Sequence, residues 1–89
     1  MKVSSKNKRI DNCFRRMIRE LMEEDASKTY FGASMAAGRS KGWMSLFMNH
    51  HIKEINLADF TLICDYFEIE PSWFMERWQD GDYDNNNLH

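Results

Sequence analysis

The side chains able to do covalent or metal chemistry are few in this chain, and none is spaced for it. His50 and His51 are adjacent, so on a helix or turn they diverge, and no third ligand stands at a metal-site interval. Cys13 and Cys64 lie far apart and read as two reduced thiols rather than a disulfide framework. No Ser/His/Asp or Cys/His arrangement, glycine-rich phosphate loop or supported carboxylate pair is present, so catalysis is not expected and no cofactor is implied. The seven methionines suit core and interface filling. What remains is the chemistry of charge and hydrogen bonding, concentrated in Arg39, Ser40, Lys41, Ser45 and Asn49 and in the cations before them.

The formal net charge is only -2, yet the charges are separated along the chain. Residues 1–41 hold ten cations against five anions, a net of +5, while residues 42–89 hold two against nine, a net of -7. A basic half suits a phosphate backbone with the acidic half turned away; two solvated charged surfaces are the plainer reading.

These groups need elements to position them, and 89 residues allow one small domain, burying about 60% of the unfolded surface. No apolar run approaches the roughly 20 residues of a membrane span, so no membrane partner is expected. The polar, basic start does not resemble a signal peptide, and with the reduced thiols this points to the cytoplasm. Residues 1–9 read as a flexible basic arm in which Lys6, Lys8 and Arg9 either contact DNA or simply solubilise the chain. Ile10, Phe14, Met17, Ile18 and Leu21 recur at helical intervals and predict a first helix to about residue 24. Arg15, Arg16 and Arg19 fall on its other sides and read as solvated charges. A second helix is expected over 27–37, and a third over 41–49, capped by Ser40. A fourth over 57–67 has Asn56 as cap, and Pro71 opens a fifth, up to residue 79. The acidic tail 80–89 reads as disordered, and the folded domain as 10–79.

Helices two and three, separated by Gly38, Arg39 and Ser40, have the dimensions of a helix-turn-helix. The run Ser40-Lys41-Gly42-Trp43-Met44-Ser45-Leu46-Phe47-Met48-Asn49 resembles the Ser-capped recognition helix of the Cro/phage-repressor (XRE-type, lambda-repressor-like) family. Downstream, Leu57, Phe60, Ile63, Cys64, Phe67 and Ile69 match that family's Leu-x-x-Leu-x-x-Ile-Ala-x-x-Leu-Gly-Val series, with Glu68 in place of the usual glycine. Pro71 then stands where the family begins its last helix. The resemblance covers residues 10–78 and implies an all-α, lambda-repressor-like bundle of five short helices containing a helix-turn-helix.

The register of helix two stays open. With Gly38 as the turn glycine, Ala33 and Ala37 face inward and Arg39 takes an aliphatic site. Alternatively Phe31-Gly32 and Met35-Ala36 match the family's large-small pairs with a longer turn. The second register is preferred here because Phe31 and Met35 would each contribute roughly 1.5–3 kcal/mol on burial.

Met44 and Phe47 set the inward side of helix three, leaving Lys41, Gly42, Ser45 and Leu46 outward, with Ser40 at its start. Lys41 suits a guanine edge or a phosphate, Ser45 either class of base, and Leu46 a thymine methyl. Lys28, Arg39, Trp43 and Asn49 complete the expected DNA-binding set. For Trp43, packing against a neighbouring helix is the competing role. Gly42 inside a helix costs about 1 kcal/mol, for close approach to the groove or for relief beneath Trp43. The resemblance implies a cofactor-free transcriptional regulator, expected to be a repressor in a bacterium or phage, bound as a homodimer to a pseudo-palindromic operator in double-stranded DNA. Trp73 and Trp78 are the candidate dimer surface, with core as the alternative, and Phe74 is assigned to the core. Two other readings stand beside it: an antitoxin or controller subunit engaging a protein partner through the acidic C-terminal half, and a helical protein-interaction module that has lost DNA binding.

Overall fold

The computed structural model describes residues 3–82, with side chains from residue 10 onward. Among the described residues there are five helices and no strand: α1 (Val3–Glu24), α2 (Tyr30–Ala36), α3 (Trp43–Met48), α4 (Leu57–Tyr66) and α5 (Pro71–Gln79). None is long and apolar enough to cross a membrane. The chain is therefore an all-α bundle of the predicted helix count and order.

The stripe on α1 buries Phe14, Met17 and Ile18, with Ile10 and Leu21 at its margins. The helix begins at Val3, so the backbone of residues 3–9 is helical. No glycine or proline interrupts those residues, and adding a turn to an existing helix costs far less than nucleating one. The side chains of Lys6, Lys8 and Arg9 lie outside the described residues, as do residues 83–89 of the expected tail. Residues 80–82 are not free tail: the Gly81 and Asp82 amides donate to the carbonyls of Trp78 and Arg77 and close α5.

Between α1 and α2, Asp25 accepts from both the amide and hydroxyl of Ser27, at 3.0 and 2.6 Å. That turn delays α2, which starts at Tyr30 with Thr29 as its cap; the Thr29 hydroxyl accepts from the Gly32 amide at 2.9 Å. In α4 the expected cap is present: the Asn56 carboxamide accepts from the Asp59 amide at 2.7 Å. Pro71 occupies the first turn of α5.

Packing places α2 against α3 and α4, and α5 against α1 and α4. Phe14 is the centre of the aromatic core, with ring centroids 4.9 Å from Phe60, 5.3 Å from Phe74 and 6.3 Å from Phe47. Ile63, Cys64 and Met44 fill the remaining space with no exposed surface. Burial pushes the Cys64 thiol up to about 12, which keeps it neutral and packed as a small apolar group.

Candidate nucleic-acid interface

The register of α2 is set by its small residues. Ala33, Ser34 and Ala37 are buried, whereas Phe31 and Met35 are 57% and 55% exposed, so the preferred sequence register is wrong and the alternative one holds. The reason is steric. Helix α2 crosses α4 so closely that a Cβ on Gly32 would run into the Tyr66 ring, whose hydroxyl accepts from the Thr29 amide at 3.0 Å. Large side chains cannot enter that crossing, and hydrophobicity alone does not reveal it.

Gly38 closes α2 with φ +71°, donating to the Met35 carbonyl while Arg39 N–H donates to the Ser34 carbonyl. This paired closure needs a left-handed residue just past the helix, which glycine supplies without steric cost. Only residues 37–42 then separate α2 from α3.

The start of α3 corrects the sequence reading twice. Ser40 is not its cap; the first flanking residue is Gly42, which sits outside the helix rather than inside it. Gly42 carries no side chain to reach back, and its φ of -95° and ψ of 1° are not the extended values of an ordinary N-cap. The missing acceptor comes from α2: the fully buried Ser34 hydroxyl accepts from the Met44 amide at 2.8 Å. A residue ten positions upstream thus caps α3 and locks it to α2.

Two of the expected DNA ligands are paired with acids of the bundle. Arg39 donates to both carboxylate oxygens of Asp59, at 2.6 and 3.3 Å, and lies 5.2 Å from the Trp43 ring centroid. The Asp59 hydrogen bond is the main cause that raises the Arg39 guanidinium above its ordinary value. Lys28 donates to the Tyr66 carbonyl at 2.9 Å and pairs with Glu68 at 3.2 Å. Both ion pairs join the basic half of the sequence to its acidic half, so the separation seen along the chain is partly cancelled in space.

Trp43 is also removed from the exposed set. It is only 8% exposed and stacks on Phe47, centroids 6.3 Å apart and planes 9° from parallel. What stays on the surface is Ser40, Lys41, Gly42, Leu46 and Asn49, with Ser45 half-buried. Asn49 donates to the carbonyl of Ser45 at 2.9 Å and to its hydroxyl at 3.3 Å, which fixes both side chains along one edge. Met44 and Phe47 face inward as expected.

The far end of α3 is held by a residue that sequence reasoning assigned to solvent. Arg15 is 3% exposed and donates to the carbonyls of Phe47 (2.7 Å), Ile52 (2.8 Å) and Lys53 (3.0 Å) and to Asn12 Oδ1 (2.8 Å). Burial lowers its pKa from the ordinary arginine value, and Asp11 acts in the opposite sense. The only hint in the sequence is that Arg15 follows Phe14 at the margin of the apolar stripe.

Trp73 and Trp78 are half-buried against the core, and the Arg77 guanidinium lies 4.2 Å from the Trp73 ring centroid. Among the described residues the most exposed large apolar one is Leu57, at 76%, on the rim of a groove of about 390 Å³ that also includes Phe60, Phe74 and Met75. Among the described residues no group of three or more His, Cys, Asp or Glu is arranged to hold a metal. Comparison of the chain with protein families, curated proteins and solved structures finds no match.

Proposed function

We propose that the chain is a DNA-binding regulator of Cro/phage-repressor type that presents α3 to the major groove. The observation that carries this reading is the unit formed by α2, a glycine-closed turn and α3, pinned by Ser34 and leaving the Lys41, Ser45, Leu46 and Asn49 edge outward. Lys41 supplies a donor for a guanine edge or phosphate, Ser45 and Asn49 polar contacts, and Leu46 an apolar surface for a thymine methyl. Arg39, Lys28 and Trp43 hold the unit together rather than read bases. No cofactor enters the reading and no catalytic step is assigned. Two copies would place two such helices roughly 34 Å apart on a pseudo-palindrome, with the Leu57 groove and the flank of α5 carrying Trp73 and Trp78 as the surface between them.

The test is affinity for a mixed-sequence duplex as a function of salt. Log K should fall linearly with log salt, by about 0.9 for each phosphate neutralised. A flat line, or no binding at low salt, defeats the reading. Once binding is measured, Lys41→Ala with Ser45→Ala should flatten discrimination between sites while leaving binding to random sequence nearly as strong; unchanged site preference would displace the reading edge from α3.

One observation favours a second reading. Phe31 and Met35 stand on the same side of α2, exposed and apolar, and a partner protein covering them would make the chain a controller or antitoxin-like subunit. Loss of partner binding in Phe31→Ser without loss of duplex affinity would separate the two.

A further inference from the structure

Three arginines of α1 and a histidine from the turn after α3 meet in a cleft of about 240 Å³ walled by Asn12, Arg15, Arg16, Arg19 and His50. His50 owes its place to the way α3 ends. It sits at φ +68°, its amide donating to the Phe47 carbonyl and the next amide to that of Leu46, which sets its backbone beside α1. The three arginines differ in what they have left to give. Arg15 spends its N–H groups on Asn12 and three carbonyls, so it contributes charge to the cleft more than hydrogen bonds. Arg16 pairs through Nε with Glu20 at 3.3 Å, while its Nη1 is shielded from solvent and has no hydrogen-bond partner. Arg19 makes no ion pair among the described residues.

A shielded, unpartnered guanidinium nitrogen costs free energy unless an acceptor reaches it. The potential in the cleft agrees: the charged form of His50 is disfavoured, first by Arg15, then by desolvation, Arg19 and Lys53. Acids nearby offset part of it, Asp11 acting on Arg15 and Glu20 pairing with Arg16. Glu20 sits on the Nε side of Arg16, and Asp11 and Glu54, with Lys53, line an adjoining cleft of about 270 Å³ that shares Asn12, Arg15 and His50 with this one. Asp11 is itself pushed above the usual carboxylate range, chiefly by burial.

We propose that this cleft binds a phosphate group, with the guanidinium groups of Arg16 and Arg19 and the His50 ring as donors and Arg15 as the fixed charge behind them. Guanidinium forks match the tetrahedral oxygens of phosphate and bind them in pairs. The cleft lies on α1 and at the turn that follows Asn49, and it takes either a free phosphate or a phosphodiester of the duplex backbone.

The experiment is a titration of the full ¹⁵N-labelled chain with inorganic phosphate at fixed ionic strength, balanced by chloride. The expected result is saturable shifts confined to residues 12–19 and 49–53 and the His50 ring, with affinity falling at least tenfold in Arg16→Gln/Arg19→Gln. Arg19→Gln alone, at an exposed position, serves as the test variant should the double change unfold the chain. Non-saturable shifts, or variants that bind phosphate as tightly as the parent, overturn the proposal. A mixed-sequence duplex added to the phosphate-saturated chain identifies the source: displacement of phosphate assigns the cleft to backbone phosphodiesters, and binding without displacement assigns it to a free phosphate ligand. A chain that takes phosphate but no duplex overturns the reading of α3 and leaves the cleft standing.

Discussion

The two ends of α3 are fastened by different chemistry. At its start, a neutral hydroxyl from α2 meets one backbone amide, Ser34 Oγ to Met44 N at 2.8 Å, in a pocket closed to water. At its far end a buried guanidinium from α1 gathers the carbonyls of Phe47, Ile52 and Lys53. A helix of six residues has few internal hydrogen bonds and would not persist alone. Both fastenings come from other elements and engage backbone groups, so neither uses the outward side chains of α3. The outer edge is thereby left free to vary without loss of the scaffold, which is what a reading surface requires.

The comparison breaks most visibly at Arg15. Replacing it by Met keeps much of the side-chain volume but strands the carbonyls of Ile52 and Lys53 and takes one of its donors from that of Phe47, and urea denaturation should show a loss of about 3 kcal/mol or more. A loss below about 1 kcal/mol would mean that water replaces the guanidinium and that the far end is not held as described. Ser34→Ala removes one acceptor from one buried amide, and the expected loss is about 1–2 kcal/mol. Hydrogen exchange should distinguish the two ends further: Met44 N–H should lose protection in Ser34→Ala, and the amides of residues 50–53 in Arg15→Met. Equal loss at both ends in either variant would show α3 to be one cooperative unit with no separate anchors.

The sequence was most informative where structure is local. Asn56 caps α4, Pro71 opens α5, and the stripe from Ile10 to Leu21 is the buried side of α1, because each signal depends on residues within a few positions. Glu68, noted as replacing a glycine, indeed adopts a left-handed φ of +63°. The failures involve partners far apart. Ser34 reads as one more small helical residue until α3 is placed against it, and Arg15 reads as a solvated charge until the segment around Ile52 folds over it. Lys28 and Arg39 are expected among the DNA-binding residues because charge is visible in sequence, whereas Glu68 and Asp59, which pair with them, become neighbours only in the bundle. The α2 register failed for another reason: apolar burial argued for Phe31 and Met35, while the close crossing at Gly32 admits only small residues.

The ends of the helices extend the comparison at smaller scale. Helices α2 and α5 close on glycine, at Gly38 and Gly81, whereas α3 and α4 close on His50 and Glu68 in the same left-handed region. A side chain there is strained by roughly 1–2 kcal/mol. Glu68→Gly should therefore stabilise the chain by up to about 1 kcal/mol, the relief offset in part by loss of the exposed pair with Lys28. No gain would mean that the Lys28 pair offsets the strain completely, a result that Glu68→Gly in a Lys28→Ala background would resolve.

The smallest expected effect decides the register. Phe31→Ser and Met35→Gln should each change stability by no more than about 0.5 kcal/mol, because more than half of each side chain already lies in water. The alternative register buries both, and each change would then cost about 2–4 kcal/mol by cavity formation and desolvation. The magnitudes are far enough apart that one denaturation curve for each variant separates them. If Phe31→Ser is silent while Gly32→Ala, set against the Tyr66 ring, destabilises, then small residues and not large ones bind α2 to α4, and the exposed aromatic is surface available to a partner.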